Sequence, residues 1–468
     1  MGNLILDTDS YKASHWLQYP PGTTNVFNYL ESRGGAYDRT VFFGLQYLLQ
    51  EYLSKPVTQR DVSEAQDFFE VHGLPFNASG WNWIVYDHGG HIPIRIRALP
   101  EGTVTPTGVP LLTCEATDPK YFWTVGWFET MVMRLWYPIT VATLSYHLKQ
   151  TIRKYLDETA DDLSGLPFKL HDFGSRGVSS RESAAIGGAA HLVNFMGSDT
   201  VVGVHLANRH YQAGMAGFSI PAAEHSTITS WGRDGELAAY ENMLARFAQP
   251  GKILAVVSDS YDIYVAARDL WGERLRQRVV DSGATVVIRP DSGEPVLVVN
   301  KLLHILDSQF GSTVNSKGYR VLKNVRIIQG DGLNPYTIEA ILRSAKLAGF
   351  SADNLAFGMG GGLLQQVNRD TLKFAYKCSA VQVDDPNAGR DGGQLIWRDV
   401  YKDPVDDPGK RSKRGRIGAS VDETDPSLRT AWWTCNSDDP ANRLEPVFED
   451  GAILRTQTFD DVRTRANQ

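Results

Sequence analysis

The stretch from residue 169 to 178 contains several side chains that could bind a ligand, in the order Lys169-Leu-His-Asp-Phe-Gly-Ser-Arg-Gly-Val178. Its apolar lead-in, Leu166 to Leu170, predicts a buried strand, and the polar run after Val178 predicts the start of a helix. Polar and glycine residues at such strand ends commonly bind ligands in α/β enzymes. Considered alone, this stretch is explained equally well as a capped strand-helix turn.

The same arrangement recurs from about residue 166 to residue 378, which favours the binding interpretation. Runs rich in Val, Ile and Phe are each followed by a polar or glycine-rich segment and then by a helical stretch. These segments occupy residues 171–174, 197–200, 219–225, 258–262, 289–293, 329–332 and 358–362. About seven units with buried parallel strands predict an irregular (β/α) barrel whose active site lies at the carboxyl ends of the strands. A doubly wound sheet is the alternative.

The flanking parts of the chain have a mixed α+β pattern. A strand is predicted at Thr24 to Arg33, several short strands between residues 89 and 110, and one buried helix over the aromatic run Tyr121 to Tyr137. Two further strands are predicted after residue 377. We therefore expect a catalytic barrel at residues 146–378 and one discontinuous α+β domain built from residues 1–145 and 379–468.

Composition restricts the function classes. The 468 residues are 42% apolar and 22% charged, as in ordinary globular proteins, and the net charge of −7 argues against general affinity for nucleic acid. Cys114, Cys378 and Cys435 are far apart and form no CxxC pair, which favours a reducing compartment. The start lacks a basic leader, and no apolar run reaches membrane-spanning length. We expect a cytoplasmic protein without membrane contact.

Two kinds of group in the polar segments could bind phosphate. Arg176 and Arg289 stay charged and can contact phosphate oxygens through paired N–H donors. The run Gly360-Gly-Gly362 follows a predicted strand and precedes a helical run, where free backbone N–H groups suit an anion. Leu363 stands where a dinucleotide-binding motif needs a third glycine, and the sequence has neither a Walker A nor an HExxH motif.

Other groups suit a base and a sugar. Phe173 offers a flat apolar face for an aromatic base, and Asp199 can accept a hydrogen bond from a ligand N–H. Gly330 and Asp331 together offer a backbone donor and an acceptor for a sugar hydroxyl. Three further aspartates could hold ribose hydroxyls or a magnesium–phosphate complex: Asp259, Asp262 and Asp291. The set predicts a mononucleotide ligand, with cations left for a second polyphosphate.

Longer motifs extend over nearly the whole chain. They are Thr8-Asp-Ser-Tyr-Lys12, Gln18-Tyr-Pro-Pro21, Phe43-Gly-Leu-Gln-Tyr47, Trp136-Tyr-Pro-Ile-Thr-Val-Ala-Thr143, His171-Asp-Phe-Gly, Ile220-Pro-Ala-Ala-Glu-His-Ser-Thr-Ile-Thr229, Val257-Ser-Asp-Ser-Tyr-Asp-Ile-Tyr264, Ile288-Arg-Pro-Asp-Ser-Gly293, Gln329-Gly-Asp-Gly332 and Lys402-Asp-Pro-Val. Through them the sequence resembles the nicotinamide phosphoribosyltransferase family, of the type II phosphoribosyltransferases.

The resemblance implies a role for individual residues. Phe173 would stack on a pyridine ring, with the partner subunit's Tyr11 on the other face, and Asp199 would accept from the carboxamide N–H. Ribose and phosphate would be held by Arg289, Asp291, Gly330, Asp331, Gly360, Gly361 and Arg369. Diphosphate would be held by Arg33, Arg176, His225, Arg289, Lys377, Lys402 and Lys410. The catalytic residues would be His225, Asp291 and Arg289.

The same resemblance implies a reaction. Nicotinamide would condense with phosphoribosyl pyrophosphate to nicotinamide mononucleotide and pyrophosphate, in NAD salvage. Magnesium would assist, and ATP hydrolysis would be coupled through phosphorylated His225. The enzyme would be a homodimer with active sites at the subunit interface. For a metal, Asp259 and Asp262 are only weak candidates, since magnesium would be held mainly through phosphates.

Alternatives remain at this stage. An ionised Asp199 would repel nicotinic acid's carboxylate, so nicotinamide is preferred and a nicotinate phosphoribosyltransferase is the close alternative. A non-catalytic binding or signalling protein on the same fold is the other. His225 could simply be a satisfied polar residue near Glu224. The basic run from residue 402 to 416 is, on charge alone, a solvated loop, an interpretation that the resemblance overturns.

Some positions depart from the family pattern. Ser175 stands where well-known members have Tyr, and Met359 where they have Ser. The loop between Val383 and Gln394 is longer than in animal members, and the segment from residue 33 to 40 is shorter. These differences affect the expected shape around the base and phosphate and the register of the basic residues near Lys402.

Overall fold

A computed structural model describes residues 2–385, 394–406, 410–421 and 432–468. The chain forms two compact units: the first consists of Met1–Thr143, Arg209–Ala213 and Asn368–Gln468, and the second of Leu144–Asn208 and Gly214–Val367. The later division lies at 367/368 rather than at the expected 378. The reason is that strand Phe374–Asp384 pairs along its length with strand Thr23–Ser32 of the first unit. Most of the long loop near residue 390 lies outside the described residues.

A curled parallel sheet forms the centre of the second unit. Its six strands are hydrogen-bonded in the order Gly197–Ser198, Leu170–Asp172, Leu355–Met359, Val325–Gln329, Thr285–Arg289 and Ile253–Val257. All of these pairings are parallel, and the first strand in the chain pairs with the last. Such a circular order is typical of a barrel rather than of a doubly wound sheet. The observed architecture is therefore a mixed α/β fold with a parallel half-barrel.

The segment at residues 218–223 makes bridges with both edge strands but is not a regular strand. On one side, Ser198 N donates to Phe218 O at 3.0 Å. On the other side, Ala255 N donates to Pro221 O and Ala223 N donates to Ala255 O, both at 2.9 Å. The third of the expected strands is thus reduced to isolated parallel bridges.

Helices alternate with these strands, and their ends follow local capping rules. Ser180 accepts from Ser183 N at the start of one helix, and Asn334 forms a capping box with Thr337 before Pro335. The helices are Trp136–Thr159, Arg181–Leu192, Val201–His210, His225–Thr229, Glu236–Phe247, Ile263–Val265, Ala266–Arg274, Arg276–Ser282, Pro295–Phe310, Pro335–Leu347 and Gly361–Leu364. The expected strand at residues 166–170 is wrong, since Leu166–Phe168 forms a 3-10 turn around Pro167 and the strand is Leu170–Asp172.

The first unit contains a seven-stranded antiparallel sheet. Its order is Leu395–Asp399, Phe374–Asp384, Thr23–Ser32, Pro110–Ala116, Ile94–Ala98, Glu445–Glu449 and Ala452–Ile453. Two small antiparallel pairs accompany it, Arg39–Val41 with Val104–Pro106 and Ile417–Val421 with Trp432–Asn436. The helical segments are Leu4–Leu6, Ser10–Leu17, Leu45–Leu48, Leu49–Leu53, Gln59–His72, Ala78–Asp87, Pro119–Tyr121, Thr124–Trp127, Glu129–Met133, Arg369–Thr371 and Phe459–Ala466. The strand expected at residues 24–33 is confirmed.

The aromatic run after residue 120 does not form the single helix that was expected. It contains two short helices, Thr124–Trp127 and Glu129–Met133, before the long helix begins at Trp136. Trp81 and Trp127 are fully buried there, with ring centroids 5.2 Å apart in an edge-to-face arrangement. Packing of these bulky rings outweighs the continuous apolar periodicity that suggested one helix. Across the described chain, no helix has the length and apolarity needed to span a membrane.

Candidate active site

The polar segments predicted from the sequence lie at one edge of the parallel sheet. Phe173 follows strand Leu170–Asp172, Asp199 follows Gly197–Ser198, and Arg289 ends Thr285–Arg289. Gly330 and Gly360 follow two further strands. Because parallel strands all end at the same edge, side chains far apart in the sequence meet there.

The ring of Phe173 packs against glycines of the neighbouring strands. Its backbone N–H donates to Met359 O at 3.0 Å. A Cβ atom added at Gly358 would lie 1.9 Å from Phe173 Cε2, and one added at Gly330 would lie 3.6 Å from the same atom. The ring also packs on an apolar cluster of Ala255, Val287 and Ile328. Only glycine at position 358 leaves room for this ring.

The next group lies beside Asp199. Asp199 N donates to Asp172 O at 3.0 Å, and Ser219 Oγ donates to Asp199 Oδ1 at 2.5 Å. Asp172 is fully buried, and its Oδ1 accepts from Gly174 N at 2.7 Å. Burial raises the pKa of Asp172 to about 6, against the opposing effect of that hydrogen bond. The side chain of Asp199, in contrast, is exposed.

His171 lies near the carboxylate of Asp199. Its ring lies against the Cα of Gly197, where an added Cβ would be 2.6 Å from Nδ1. Nε2 is 3.0 Å from Phe168 O, so this nitrogen carries the proton that the carbonyl accepts. Burial lowers the pKa of His171, although the charge of Asp199 opposes the shift. The lowered pKa favours the neutral imidazole.

Arg289 and Asp291 lie beside the ring of Phe173. Arg289 Nη2 is 3.7 Å from Asp291 Oδ2. A Cβ added at Gly330 would be 3.0 Å from Asp291 Oδ1 and 3.9 Å from Arg289 Cδ, so both side chains line the space over that glycine. Burial raises the pKa of Asp291, and the charge of Arg289 opposes this. Within the described part of the chain, the buried Nε of Arg289 has no hydrogen-bond partner.

His225 pairs with Asp259 rather than with Glu224. His225 Nε2 is 2.9 Å from Asp259 Oδ1, and Nδ1 is 3.9 Å from Asp291 Oδ2. Asp259 is only 4% exposed, and its Oδ2 accepts from Asp291 N at 3.0 Å and from Ser292 Oγ at 2.6 Å. Glu224 instead accepts a hydrogen bond from Ser226. The imidazole is thus oriented by a buried carboxylate while its ring remains 45% exposed.

The two weak metal candidates have other partners. Asp262 caps a helix, because its Oδ1 accepts from Tyr264 N at 2.9 Å and from Val265 N at 3.1 Å. Asp259 is occupied by His225 and the loop that follows Arg289. Among the residues described, no three His, Cys, Asp or Glu side chains are placed to hold a metal ion.

The glycine-rich segments lie at the same edge. Gly360 O accepts from Leu363 N at 3.0 Å at the start of the short helix Gly361–Leu364. The turn that carries Arg176 is adjacent, since a Cβ added at Gly177 would be 3.5 Å from Gly361 N. Arg176 itself is exposed. Gln329 Nε2 donates to Asp331 O at 2.9 Å and so holds the neighbouring turn.

The remaining predicted site residues belong to the first unit. They are Tyr11, Arg33, Arg369, Lys377, Lys402 and Lys410. Tyr11 is 57% exposed, Lys402 and Lys410 are exposed, and Arg369 Nη2 is 2.8 Å from Asp370 Oδ1. Burial lowers the pKa of Lys377, with Glu129 opposing the shift. The roles of these residues stay predictions.

Sequence reasoning missed two groups. Ser219 lies in a predicted segment, but nothing in its local sequence indicates that it contacts Asp199. Glu31 is buried and shared by two cations: Arg33 Nε donates to its Oε1 at 3.1 Å, and Lys413 Nζ donates to its Oε2. An acidic residue inside an alternating strand pattern is the only signal that could have revealed Glu31.

Two solved structures that share this fold cover nearly the whole chain. The crystal structure of nicotinate-nucleotide pyrophosphorylase from Pyrococcus furiosus aligns with a TM-score of 0.61 at 15% identity, covering 99% of this chain and 95% of that one. The crystal structure of human nicotinic acid phosphoribosyltransferase aligns with a TM-score of 0.53 at 16% identity, covering 98% and 93%. At these identities the likeness concerns the fold.

Sequence comparison identifies the family. The model of the nicotinate phosphoribosyltransferase (NAPRTase) family matches residues 168–452, and that of the nicotinamide phosphoribosyltransferase N-terminal domain matches residues 3–96. The chain belongs to the nicotinate phosphoribosyltransferase family. A protein of Xanthomonas campestris pv. campestris named nicotinamide phosphoribosyltransferase is 56% identical over 471 positions, which cover 100% of this chain and 98% of that protein. Proteins of the same name from Mycoplasma pneumoniae (88% of this chain, 95% of that protein) and Acinetobacter baylyi (98% and 96%) are 34% and 30% identical.

Proposed function

We propose that the protein is a pentosyltransferase that condenses nicotinamide with phosphoribosyl pyrophosphate to nicotinamide mononucleotide and pyrophosphate, a step of NAD salvage. The observation that carries this proposal is the identity of 56% over the whole chain with a relative named for that activity. The grouping of Phe173, Arg289 and Asp291 around Gly330 supports it from the geometry.

We propose further that the parallel half-barrel is closed by residues 218–223 into an irregular barrel of seven strand-helix units. The parallel bridges of residues 218–223 to strands Gly197–Ser198 and Ile253–Val257 support closure. A closed barrel gathers all seven predicted segments around one rim, which is the arrangement that a single mononucleotide needs.

Nicotinamide binds on the ring of Phe173, with its carboxamide directed toward Asp199. Phe173 is held from below by Gly358 and the apolar cluster, so that it can present a rigid face. Asp199 offers a carboxylate acceptor to the amide N–H. Together they orient the pyridine nitrogen toward the sugar.

Catalysis then depends on position and charge. The pyridine nitrogen attacks C1 of the ribose with its own lone pair and has no proton to lose, so this step requires no general base. Negative charge develops on the departing pyrophosphate while C1 gains oxocarbenium character. Arg289 and Arg176 stabilise the leaving group, and Asp291 accepts from ribose hydroxyls. Arg33, Lys377, Lys402 and Lys410 are proposed as further diphosphate-binding cations from their motifs alone.

Magnesium fits these residues only in partnership with phosphate. Mg²⁺ typically takes one or two carboxylates and completes its shell with water and substrate oxygens. Asp291 would be the protein ligand, and the ion would neutralise charge on the diphosphate. Asp259 is a poorer candidate, because both of its carboxylate oxygens already have hydrogen-bond partners within the protein.

ATP is proposed as a co-substrate that acts through His225. When Nε2 donates to the buried Asp259, the lone pair of the ring lies on Nδ1. That nitrogen would attack the γ-phosphorus of ATP while the bond from phosphorus to the bridging oxygen breaks and ADP leaves, and Asp259 would stabilise the positive charge that forms on the ring.

Assembly and location complete the proposal. A homodimer, with the partner subunit's Tyr11 at the pyridine ring, rests on the motif around Tyr11 and on the 57% exposure of this side chain. A cytoplasmic location is supported by three free cysteines, which suit a reducing compartment.

Nicotinate is the second candidate substrate, because the family model that matches the longest segment bears its name. The surroundings of Asp199 count against it. A nicotinate carboxylate would face an acidic side chain, and burial of the nearby His171 lowers its pKa and so disfavours a compensating positive charge on that ring.

The decisive experiment supplies the purified protein with nicotinamide, phosphoribosyl pyrophosphate and magnesium, with and without ATP. We expect nicotinamide mononucleotide by chromatography and a higher yield with ATP. Nicotinic acid in a parallel reaction separates the two substrates. A protein that forms neither mononucleotide under any of these conditions would instead be a non-catalytic binding or signalling protein.

A further inference from the structure

Ser219 forms a hydrogen bond with the Asp199 carboxylate. Its hydroxyl donates to Asp199 Oδ1 at 2.5 Å, across 20 residues of chain. Both side chains are exposed at the carboxyl edge of the parallel sheet. The contact therefore belongs to the surface that a ligand meets, and it contributes little to the packing of the interior.

The backbones of both residues are anchored next to this contact. Asp199 N donates to Asp172 O, and Ser198 N donates to Phe218 O, both at 3.0 Å. The two residues thus follow neighbouring chain segments that are hydrogen-bonded to each other immediately before the contact. With both backbones held, the remaining freedom of the pair is rotation of the two side chains, and the hydrogen bond removes it.

The hydrogen bond makes the two carboxylate oxygens unequal. Oδ1 is committed to Ser219, whereas no described residue donates a hydrogen bond to Oδ2. A carboxylate without this bond would rotate and present either oxygen, so that a ligand N–H would have to order it on binding. The fixed carboxylate is prepared to receive an N–H donor in one direction.

We propose that Ser219 is a specificity-positioning residue, which orients Asp199 so that the site prefers a neutral pyridine carboxamide over a pyridine carboxylate. This inference rests on the proposed function and deepens it. Ser219 acts through Asp199 and touches no reacting atom, so it is not a catalytic residue. The preference follows because the free oxygen can accept from an amide N–H but would meet the carboxylate of nicotinate as a like charge.

The surrounding groups do not substitute for this hydroxyl. Asp172 is buried beneath Asp199, and its carboxylate is bonded to Gly174 N. His171 is occupied by Phe168 O through Nε2. Removing the Ser219 hydroxyl therefore leaves Asp199 with no other side-chain donor among the described residues.

The test compares three variants of the full chain. Ser219→Ala removes the hydroxyl at an exposed position, and Ser219→Thr keeps it. Ser316→Ala is the matched control: Ser316 Oγ donates to Asp161 Oδ1 at 2.6 Å, an exposed Ser–Asp bond in the turn between the antiparallel strands Ser312–Val314 and Arg320–Leu322. The measurements are kcat and KM for nicotinamide and for nicotinate, together with nicotinamide affinity by titration calorimetry.

We expect Ser219→Ala to raise both KM and Kd for nicotinamide about tenfold, with kcat nearly unchanged. The preference for nicotinamide over nicotinate should fall by about the same factor, because only the amide uses the oriented oxygen. Ser219→Thr should retain most of the wild-type preference, and Ser316→Ala all of it. Ser219→Ala with a wild-type KM and preference would overturn this inference and leave the proposed function intact. A wild-type protein that neither binds nicotinamide nor forms a mononucleotide would overturn both.

Discussion

Three aspartates near the strand ends show how partners determine what a carboxylate does. Asp172 is buried and bonded to one backbone N–H, Asp259 holds His225, and Asp262 caps a helix. Identical side chains near the ends of parallel strands thus serve folding, imidazole orientation and helix initiation. Their chemistry follows from burial and donors rather than from residue type.

The first prediction concerns Asp172→Asn. The pKa of this group is raised in the folded protein, so the folded state binds the proton more tightly than the unfolded state. Stability from Asp172 is therefore greatest below its ordinary value of 3.8 and is lost as the pH rises to about 6. The shift in pKa corresponds to a loss of at most about 3 kcal/mol in the free energy of unfolding at neutral pH. The amide oxygen of Asn can still accept from Gly174 N. Thermal unfolding between pH 4.5 and 7.5 should show the variant to be more stable above pH 6, with the advantage fading at lower pH.

An equal pH dependence in wild type and Asp172→Asn would contradict this prediction. Asp161→Asn serves as a control, because it makes the same substitution at an exposed carboxylate of the same unit.

The Asp199→Asn substitution tests the role of the Asp199 charge in substrate preference. Removing the negative charge should raise KM for nicotinamide about tenfold and improve relative use of nicotinate, since the like-charge repulsion disappears. Steady-state kinetics with both substrates measures the change. Unaltered preference would show that Asp199 does not face the carboxamide.

At the scale of elements, the strands set the distance between backbone and ring. Gly358 lies within strand Leu355–Met359, and the ring of Phe173 occupies the space where any other residue would place a Cβ. Glycine weakens a strand, so its presence there needs a reason, and close approach of an aromatic ring is one. The element thus gives up intrinsic strand propensity to position a binding surface.

Gly358→Ala should move the ring of Phe173. The added Cβ would lie 1.9 Å from Cε2, so the ring must rotate or shift. We expect KM for nicotinamide to rise about tenfold or more, with a modest loss of thermal stability. Gly214→Ala is the control, since nothing lies within 4 Å of a Cβ at that position. Normal nicotinamide affinity in Gly358→Ala would show that the ring is not part of the binding surface.

At the scale of the whole molecule, the chain is interleaved. It leaves the first unit at Leu144, returns briefly at Arg209–Ala213 and returns finally at Asn368. Neither unit is a continuous stretch of sequence, so no single fragment of the chain contains one complete unit and leaves the other intact. Because the chain returns to the first unit, Lys413 can donate a hydrogen bond to Glu31, which is 382 residues away in the sequence.

The proposed dimer can be tested by mixing two variants that are each inactive alone. If the partner subunit's Tyr11 completes each site, Tyr11→Ala and Phe173→Ala homodimers should both be nearly inactive. In a mixed dimer one of the two sites has both rings, so random re-association of equal amounts should restore about a quarter of wild-type activity. Activity is measured after mild dissociation and mixing. No recovery, with mixed dimers demonstrated by mass, would mean that both rings come from one subunit.

The strand-helix repeat, the segments at the strand ends and the family could all be recognised from the amino-acid sequence. Burial imposes a periodicity that can be seen locally, and motifs keep their residues adjacent. The sequence also predicted strand Thr23–Ser32 to within a residue, but it missed the break between Thr124–Trp127 and Glu129–Met133.

The three-dimensional structure was needed to identify the partners of the polar groups. It paired His225 with Asp259 rather than the adjacent Glu224, assigned Asp262 to a helix cap, and placed Ser219 on Asp199. The physical reason is that hydrogen bonds between distant residues depend on strand register and on ångström-scale packing. Neither quantity is encoded by the spacing of residues along the chain.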